Sequence, residues 1–309
     1  MNDPHRVYTY YPPRPERGVR IVVVGAGGNG GWLLDGLAGL LLDLTECRQA
    51  GVTFRENALA PYPVELALVD PDVVEQRNLA RQNFWLADVG RPKARVLSDR
   101  YRRALGIESE FHTTVFRPDN PMHLPGVDLE ILVGCGDNTA VRRLMHEALT
   151  VRGAPYALYA PRPRRAILDL GNGRHTGQVL FGTTPDLSGL RRSFNPIGAC
   201  TALPTPGLLR PDLLDPTHDA VPSGSLARQD CAARVLAREQ GLTINRHVAT
   251  HALTLLERLF LGELTYLGVY VNNEGGAVAQ HVPLTPHAVA GALGRTPDDL
   301  DLYLSPRSR

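Results

Sequence analysis

The fold of this chain is decided by the stretch Arg20-Ile-Val-Val-Val-Gly25-Ala-Gly27-Gly-Asn-Gly30. The β-branched run before Gly25 is typical of a strand buried on both faces of a sheet. The glycines fit the pattern G-x-G-x-x-G, and the leucines that follow recur with the three-and-four spacing of a helix packed on that sheet. The stretch therefore predicts a strand, a glycine turn and a helix whose N-terminus, with backbone N–H groups, can bind a phosphate group.

Strands and helices alternate through the first half of the sequence. Val64–Val69 is a second predicted strand that ends at Asp70, and residues 43–63 before it are predicted to be a loop or an insertion. Lys93–Leu105 is a predicted helix, and strands are predicted at residues 109–116 and 129–133. This alternation predicts an α/β fold with a Rossmann-like, mostly parallel, doubly wound sheet, which binds ligands beyond the carboxyl ends of its strands.

The second half predicts a mixed C-terminal part. Residues 166–170 and 177–181 form a predicted hairpin around Gly171-Asn-Gly173, followed by helices at 230–239 and 245–261 and by strands at 266–271 and 277–282. For the whole chain we expect a proline-rich N-terminal arm at 1–18 and a single domain at 19–309, with an irregular crossover loop at about 185–229.

Composition excludes several classes of protein. The 309 residues are 43% hydrophobic and 21% charged, as in ordinary globular proteins, so disorder, collagen repeats and coiled coil are excluded for the whole chain. A net charge of +1 argues against binding to nucleic acid or anionic membrane through bulk charge. The longest apolar run, at 33–42, is too short and too broken to span a bilayer.

Four cysteines without a C-x-x-C pair indicate neither a disulfide framework nor a cysteine-rich zinc site, and favour a reducing cytoplasm.

The glycine turn does not choose between NAD, FAD and ATP. A dinucleotide site places its ribose-binding acid about 20 residues past the glycines. Asp43 and Glu46 lie nearer that distance but at a predicted helix end or loop, whereas Asp70 ends a strand about 40 residues past Gly30. An insertion would explain that gap, so spacing weakens the interpretation as a dehydrogenase without excluding it.

A second motif discriminates between these ligands. It is Val69-Asp70-Pro-Asp72-Val-Val-Glu75-Gln-Arg-Asn78-Leu-Ala-Arg81-Gln82-Asn-Phe84, with Val89-Gly90-Arg-Pro-Lys93 after it. This segment resembles the ThiF/MoeB superfamily, which includes the adenylation domains of ubiquitin-activating enzymes, in its aspartate pair, N-L-x-R-Q and G-x-P-K. Cys135-Gly-Asp137-Asn138-Thr-Ala-Val-Arg142 resembles the next signature of that superfamily, and Ile244-Asn245 before a long apolar helix its later portion. The ordered motifs cover residues 20 to 150.

The resemblance implies roles for individual residues. Asp70 would bind the ribose hydroxyls of ATP, Asn78, Arg81 and Lys93 its phosphates, and Asp137 the accompanying Mg²⁺. Arg81, Lys93 and Asp137 would be catalytic because they stabilise charge on the phosphoryl oxygens. The complete implied nucleotide site is Gly25, Gly27, Gly30, Asp70, Asp72, Asn78, Arg81, Gln82, Lys93, Asp137 and Asn138.

Composition supports one of these roles independently, because Lys93 is the only lysine of the chain and it stands at the lysine position of the motif. An ammonium group binds phosphate differently from the planar guanidinium of the many arginines. Purely structural interpretations stay open for the others: Arg81 as a surface ion pair, Asp72 as a helix or turn cap, and Asn78 as a turn residue.

The cysteines leave a further question open. Many members of the superfamily carry the acyl group on a cysteine of the crossover loop, and Cys231 and Cys200 are the candidates, although free cysteines are more often buried apolar residues. The missing C-x-x-C pairs make a structural zinc unexpected. His247 and His251 share a helix face without the glutamate of H-E-x-x-H, which argues against metal ligation.

The resemblance implies a homodimer that adenylates a carboxylate, most specifically the C-terminal glycine of a ubiquitin-like or sulfur-carrier protein. Residues 168–179 and 231–245 resemble the ThiF-like protein of the bacterial ParB-related, ThiF-related (PRTRC) cassette. In such dimers an arginine of the N-terminal arm completes the partner's site, with Arg6, Arg14 and Arg17 as candidates. Three alternatives remain: a small-molecule or tRNA-linked carboxylate as substrate, an ATP-binding partner without turnover in a plasmid-associated complex, and an NAD-dependent oxidoreductase.

Overall fold

The structure is a computed structural model that describes residues 3–118, 127–136, 138–150, 163–218, 243–276 and 278–304. Helical segments within these ranges are α1 (Gly28–Gln49), α2 (Lys93–Leu105), α3 (Thr139–Thr150), α4 (Pro206–Leu209), α5 (Ile244–Leu261) and α6 (Pro286–Ala292). The strands are β1 (Thr9–Tyr10), β2 (Val19–Val24), β3 (Val64–Val69), β4 (Glu110–His112), β5 (Leu129–Gly134), β6 (Arg164–Asn172), β7 (Thr176–Gly182), β8 (Ala199–Cys200), β9 (Tyr266–Asn272) and β10 (Val278–Pro283).

Within the described ranges, eight strands form one sheet in the order β10-β9-β7-β6-β5-β2-β3-β4. The five strands from β6 to β4 are parallel, whereas β7, β9 and β10 are antiparallel to their neighbours. The predicted Rossmann-like α/β fold, mostly parallel with a mixed C-terminal part, is therefore confirmed.

Strand β2 is buried on both of its faces, as its β-branched sequence predicts. Val19, Ile21 and Val23 pack into the core beneath α1, α2 and α5, while Val22 and Val24 pack into a smaller core beneath α3. The period-two alternation of a strand sends successive side chains to opposite faces, so one short apolar run serves two cores.

Most predicted elements occur where the sequence places them. Lys93–Leu105 is a helix ended by Gly106 in the left-handed conformation, and the hairpin β6–β7 is antiparallel. Two predictions were wrong in extent. Helix α1 continues to Gln49, so the long connection to β3 begins later than residue 43, and the strand expected at 109–116 covers only Glu110–His112. The predicted helix at 230–239 lies outside the described residues.

The N-terminal arm packs against its own chain. Strand β1 pairs in parallel with β8 of the crossover segment, and the rings of Tyr8 and Tyr10 contact Phe194 and Phe181 edge to face. In the part of the crossover before residue 219, these contacts accompany only short helical turns and the two-residue strand β8. Among the helices described, none combines the length and the apolar character needed to cross a bilayer.

Charged residues form a row across four strands near the amino ends of the parallel sheet. Arg20 of β2 is in register with Glu65 of β3 and Glu130 of β5, and Glu130 is in register with Arg165 of β6. The N–O distances are 2.7 Å for Arg20–Glu65, 3.6 Å for Arg20–Glu130 and 2.6 Å for Arg165–Glu130. Because Arg20 and Glu130 are almost wholly buried, each charge depends on its partners in the row.

Substitution Glu130→Gln is therefore expected to lower the free energy of unfolding by about 3 kcal/mol, since it leaves two arginines without their shared carboxylate. Urea unfolding followed by circular dichroism measures the change. The matched control is Glu56→Gln, whose pair with Arg14 is exposed on both sides and contributes less than about 0.5 kcal/mol. Equal effects of the two substitutions would contradict a structural role for the row.

Candidate functional site

The candidate site lies at the switch point of the sheet. Strand β2 has β3 on one side and β5 on the other, so the chain connections that leave the carboxyl ends of β2 and β5 run in opposite directions. A crevice at that position is the usual ligand site of an open α/β sheet. The segments after β2 and β5 are the glycine turn and the residues around Cys135 and Gly136, and Gly25 lies directly against both of the latter.

The glycine turn depends on the absence of side chains at two positions. Gly25 has a φ of +98°, which L side chains rarely adopt. A Cβ at Gly30 would lie 1.9 Å from the carbonyl oxygen of Gly25. Helix α1 begins at Gly28, and its first turn contains no acidic residue. The turn therefore presents a compact helix N-terminus with positive electrostatic potential.

Asp70 holds the glycine turn to the neighbouring strand. One of its carboxylate oxygens accepts a hydrogen bond from the Ala26 N–H at 2.6 Å, and the other accepts one from the Asp72 N–H at 2.8 Å. Burial raises the pKa of this carboxyl group, and the charge of Lys93 and the two N–H donors oppose that shift. Each oxygen retains a second lone pair for a ligand hydroxyl group.

The N-L-x-R-Q segment forms a turn that packs over the glycines. The Asn78 side chain accepts a hydrogen bond from the Glu75 N–H at 2.8 Å, and the Asn78 carbonyl accepts one from the Gln82 N–H at 2.9 Å. The Gln82 amide lies 3.6 Å from where a Cβ of Gly27 would be, and its Oε1 is buried without a partner in the described structure. Arg81 is buried, and its carbonyl accepts a hydrogen bond from the Trp32 indole at 2.8 Å. Burial of Arg81 excludes the interpretation as a surface ion pair.

Lys93 is buried at the first position of α2 and is bound to Asp72 twice. Its Nζ lies 2.9 Å from a carboxylate oxygen of Asp72, and its N–H donates to the Asp72 carbonyl at 2.9 Å. Asp72 itself is exposed, whereas the Lys93 ammonium is buried near enough to Asp70 to affect its carboxyl group, and it has two further N–H donors available.

Other predicted residues fall in different places. Asn138 is exposed, and its side chain accepts a hydrogen bond from the Val141 N–H at the start of α3, which is a helix-capping contact. Asp137 and Cys231 lie outside the described residues.

His247 interacts with the Asn273 side chain at 3.0 Å. The residues that the structure describes contain no group of three or more histidine, cysteine, aspartate or glutamate side chains arranged to hold a metal ion.

Beside the glycine turn is a pocket of about 640 Å³ that sequence reasoning missed. Its floor includes one cross-strand row, Gly171, Gln178, Tyr270 and Gln280, from the antiparallel part of the sheet. A Cβ at Gly171 would lie 2.8 Å from the Gln178 amide, so glycine there keeps the floor open. The wall nearest the glycine turn includes Asn29, Gly136, Arg142 and Asn172. No motif joins these residues, because register and not sequence spacing brings them together.

Arg142 is held at this wall by Asp169, which the sequence analysis did not single out. Its Nε lies 2.7 Å from a carboxylate oxygen of Asp169, and both side chains are buried. The residue four positions after Asn138 in the motif thus forms an internal ion pair.

The crossover segment contributes Arg210 and Leu213 to the lining of the pocket. Arg210 makes two contacts, at 2.8 and 2.6 Å, with the carboxylate of Asp212, and this pairing raises its pKa. His146 of α3 accepts a hydrogen bond from the Gly207 N–H through Nε2, which requires the neutral ring, and burial lowers the pKa of this histidine. This hydrogen bond therefore joins the crossover segment to α3.

Cys135 beside the glycine turn and Cys200 in β8 both have thiols whose pKa is raised by burial. Burial raises the pKa of Cys135, with a further contribution from the carboxylates of Asp169 and Asp70. Burial raises the pKa of Cys200 to about 12, and its thiol donates to the Ala202 carbonyl at 3.3 Å. Neither thiol has the exposed, electropositive setting of a reactive cysteine in this conformation.

The three arginines of the arm all make contacts within the chain. Arg6 donates to the Pro196 carbonyl at 2.9 Å, Arg14 lies 2.6 Å from Glu56, and Arg17 lies 2.7 Å from Asp128. A function of one of them in a partner's site stays a prediction.

Substitution Gly30→Ala is expected to lower the free energy of unfolding by about 3 kcal/mol, because the new methyl group overlaps the Gly25 carbonyl. The control is Gly39→Ala in the same helix, where the Cβ would meet no atom within 4 Å, and it should raise stability by about 0.5 kcal/mol through helix propensity. Denaturant unfolding of both variants measures the difference, and opposite signs are the expected result. Two changes of the same sign would contradict the close approach in the turn.

Comparisons with known proteins agree with the sequence motifs. Residues 17–161 match the model of the ThiF family. The crystal structure of PaaA is similar with a TM-score of 0.49 and 14% identity, over 86% of this chain and 64% of PaaA. That of Escherichia coli MccB with ATP has a TM-score of 0.47 and 14% identity, over 90% of this chain and 64% of MccB. The chain thus spans less than two thirds of the length of these proteins, and no curated protein matches its sequence.

The family match covers all four motifs from the glycine turn to Arg142 and includes the strands that form the switch point. Residues 17–161 therefore match the ThiF family model over the segment that holds the motifs between Gly25 and Arg142.

Proposed function

We propose that this protein uses ATP to adenylate a carboxylate and releases pyrophosphate. The observation that carries this proposal is the convergence of Asp70 and the Asn78–Gln82 turn on the glycine turn at the switch point of the sheet, with Lys93 bound to Asp72 two residues after Asp70. Its finer form takes the C-terminal glycine of a ubiquitin-like or sulfur-carrier protein as the substrate and a homodimer as the active species. The narrower PRTRC-type identity belongs to the same proposal.

The nucleotide would lie along the carboxyl ends of β2 and β3. Asp70 would accept hydrogen bonds from the ribose hydroxyls, since its two oxygens are fixed by the Ala26 and Asp72 N–H groups and each keeps a lone pair. The N–H groups of the glycine turn and the N-terminus of α1 would bind the phosphates. Gln82, whose Oε1 is buried without a described partner, would face the same ligand.

Three further groups would act on the triphosphate. Lys93, held by Asp72, and the buried guanidinium of Arg81 supply positive charge, and Asn78 orders the turn that carries Arg81. Asp137, with Asn138 next to it, would hold Mg²⁺, because one carboxylate together with phosphate oxygens is the usual Mg²⁺ set in ATP sites. When bound, that ion neutralises charge on the leaving pyrophosphate.

The reaction forms a bond between a carboxylate oxygen of the substrate and the α-phosphorus of ATP. The bond from that phosphorus to the β-phosphate oxygen breaks, and its electron pair leaves with pyrophosphate. Negative charge on the phosphoryl oxygens increases during this step, so fixed cations at Lys93 and Arg81 lower the barrier. No residue needs to act as a general base, because a carboxylate is already ionised at neutral pH. The acyl substrate would reach the α-phosphorus through the 640 Å³ pocket.

Mg-ATP is expected to raise the melting temperature of the protein, because a ligand that binds only the folded state stabilises it. Arg81→Ala should weaken this stabilisation, since the variant lacks the guanidinium that is proposed to bind the phosphates. The measurement is a thermal-shift titration with Mg-ATP and, separately, with NAD⁺ and NADP⁺. The matched control is Arg103→Ala, an exposed arginine on α2, which should leave the shift unchanged.

Stabilisation by NAD⁺ alone would contradict the proposal and support an oxidoreductase. Stabilisation by Mg-ATP without Mg-dependent exchange between pyrophosphate and ATP, in the presence of carboxylate substrates, would support a nucleotide-binding partner without turnover.

A second prediction concerns Asp70. The wild-type protein should bind ATP about 10-fold more tightly than 2′,3′-dideoxy-ATP, and Asp70→Ala should remove this preference, because the carboxylate is the proposed partner of both hydroxyls. Isothermal titration calorimetry measures both affinities. The ratio compares two ligands on the same variant, so a general loss of stability does not affect it. A preference that persists in Asp70→Ala would assign the ribose to other residues.

A further inference from the structure

The turn that carries Arg81 is held in place partly by side chains. Residues 79–85 form neither helix nor strand, so no regular ladder of main-chain hydrogen bonds fixes them. The Arg81 N–H donates to the Asn78 carbonyl at 3.2 Å, within the turn itself. The Arg81 carbonyl accepts a hydrogen bond from the Trp32 indole at 2.8 Å. The main chain of Arg81 is therefore bonded on both sides, and one of the two bonds comes from a side chain of helix α1.

A second bond ties the same turn to the same part of α1. The Asn83 side chain donates to the carbonyl of Gly31, the residue before Trp32, at 3.1 Å. Both contacts lie in the first turns of the helix, which begins at Gly28. They therefore tie Arg81 to the helix whose N-terminus is the proposed phosphate site.

Arg246 of α5 covers the ring of Trp32. Its guanidinium carbon lies 3.9 Å from the centroid of that ring, at the distance of a cation–π contact. Arg246 is exposed, and within the described ranges its charge pairs with no carboxylate. The indole N–H lies in the plane of the ring, so a cation that holds the plane also holds the direction of the N–H. The stack therefore supports the hydrogen bond to Arg81.

Close packing of α1 on α5 places Trp32 at this position. A Cβ at Gly28 would lie 2.6 Å from the Asn245 amide, and a Cβ at Gly36 would lie 2.3 Å from Leu253. Gly28, Trp32 and Gly36 recur every four residues, so they share the face of α1 that is turned to α5. The two glycines let the helices approach, and the large residue between them reaches from α5 to the N-L-x-R-Q turn.

We propose that Trp32 and Arg246 are positioning residues of the nucleotide site. Arg246 fixes the ring of Trp32, and Trp32 fixes the main chain of Arg81, so that the Arg81 guanidinium meets the phosphates of ATP. Neither Trp32 nor Arg246 touches the nucleotide in this assignment. The inference rests on the proposed function, because it needs ATP as the ligand and Arg81 as a residue that binds its phosphates.

The test compares the affinities for Mg-ATP and for adenosine, measured by titration calorimetry in the same Mg²⁺ buffer. Adenosine keeps the ribose hydroxyls proposed for Asp70 and lacks the phosphates proposed for Arg81, so the ratio of the two affinities reports the phosphate contacts. Trp32→Phe keeps a ring under Arg246 and removes the N–H donor. It should lower the ratio about 5-fold and leave the affinity for adenosine unchanged, whereas a general loosening of the fold would weaken both ligands.

Two substitutions of the exposed Arg246 give an independent measurement, which also serves if Trp32→Phe fails to fold. Arg246→Met keeps the length of the side chain and removes its charge, so it should lower the ratio about 3-fold. Arg246→Lys keeps a cation over the ring and should restore most of that loss.

The chain offers a matched control for each position. Trp85, the other tryptophan, also lies under an arginine, with the Arg100 guanidinium carbon 3.8 Å from its ring centroid. Arg258 is an exposed arginine further along α5. Trp85→Phe and Arg258→Ala should both leave the ratio unchanged, because neither side chain contacts the main chain of Arg81 or the ring of Trp32.

A double-mutant cycle with Arg81→Ala shows whether the effect passes through Arg81. In the Arg81→Ala background, Trp32→Phe should lower the ratio no further, since no guanidinium is left to position. An equal loss in both backgrounds, or an unchanged ratio in folded Trp32→Phe and Arg246→Met, would overturn the inference and keep the ATP site. A wild-type protein that binds Mg-ATP no more tightly than adenosine would overturn the proposed function, and the inference with it.

Discussion

The hydrogen bond from the Ala26 N–H to the Asp70 carboxylate, 2.6 Å long, joins the carboxyl ends of two neighbouring strands, and the candidate site depends on it. A turn made of glycines has no side chains of its own to hold it in place, so a group from another strand must do so. A buried carboxylate is a costly way to supply that constraint, as its raised pKa indicates, and Lys93 and two backbone N–H groups offset the cost. The same groups that stabilise Asp70 form the electropositive side of the crevice.

The charged row at the opposite ends of the strands contributes to the same geometry. Parallel strands made of similar apolar residues specify their register weakly, because a slip changes little in a two-sided apolar environment. The row Glu65, Arg20, Glu130 and Arg165 alternates in sign across four strands, so a slip would separate buried opposite charges. Register decides which strand ends meet, and the row therefore helps to align the glycine turn with Asp70 and with the residues after β5.

The sheet has two parts with different chemistry, and the pocket lies where they meet. The parallel part ends in the glycine turn and a cluster of charged groups suited to phosphates. The antiparallel part forms a flat floor of amide and tyrosine side chains suited to a polar, uncharged chain. Asn29 comes from the parallel part and Asn172 from the end of β6, the strand shared by both parts, so their 2.8 Å contact joins the two parts of the sheet at the pocket. The proposed adenylation would use such an arrangement, because a nucleotide and a carboxylate substrate must reach one phosphorus atom from opposite sides.

The sequence by itself determined the order of the parallel βα units, the glycine turn, and the fact that Asp70, Arg81, Gln82 and Lys93 belong to one motif, because these features are written in local periodicity and short spacings. Only the tertiary structure decided that Arg81 is buried, that Cys200 is buried where the crossover pairs with the arm, and that Asp169 neutralises Arg142. The pocket could not be predicted from the sequence either. Its lining residues Asn29, Gln178, Arg210 and Tyr270 are distant in the chain, and the packing of the strands brings them together. Local interactions between near neighbours leave a pattern in the sequence, whereas contacts between distant residues depend on how the whole chain packs.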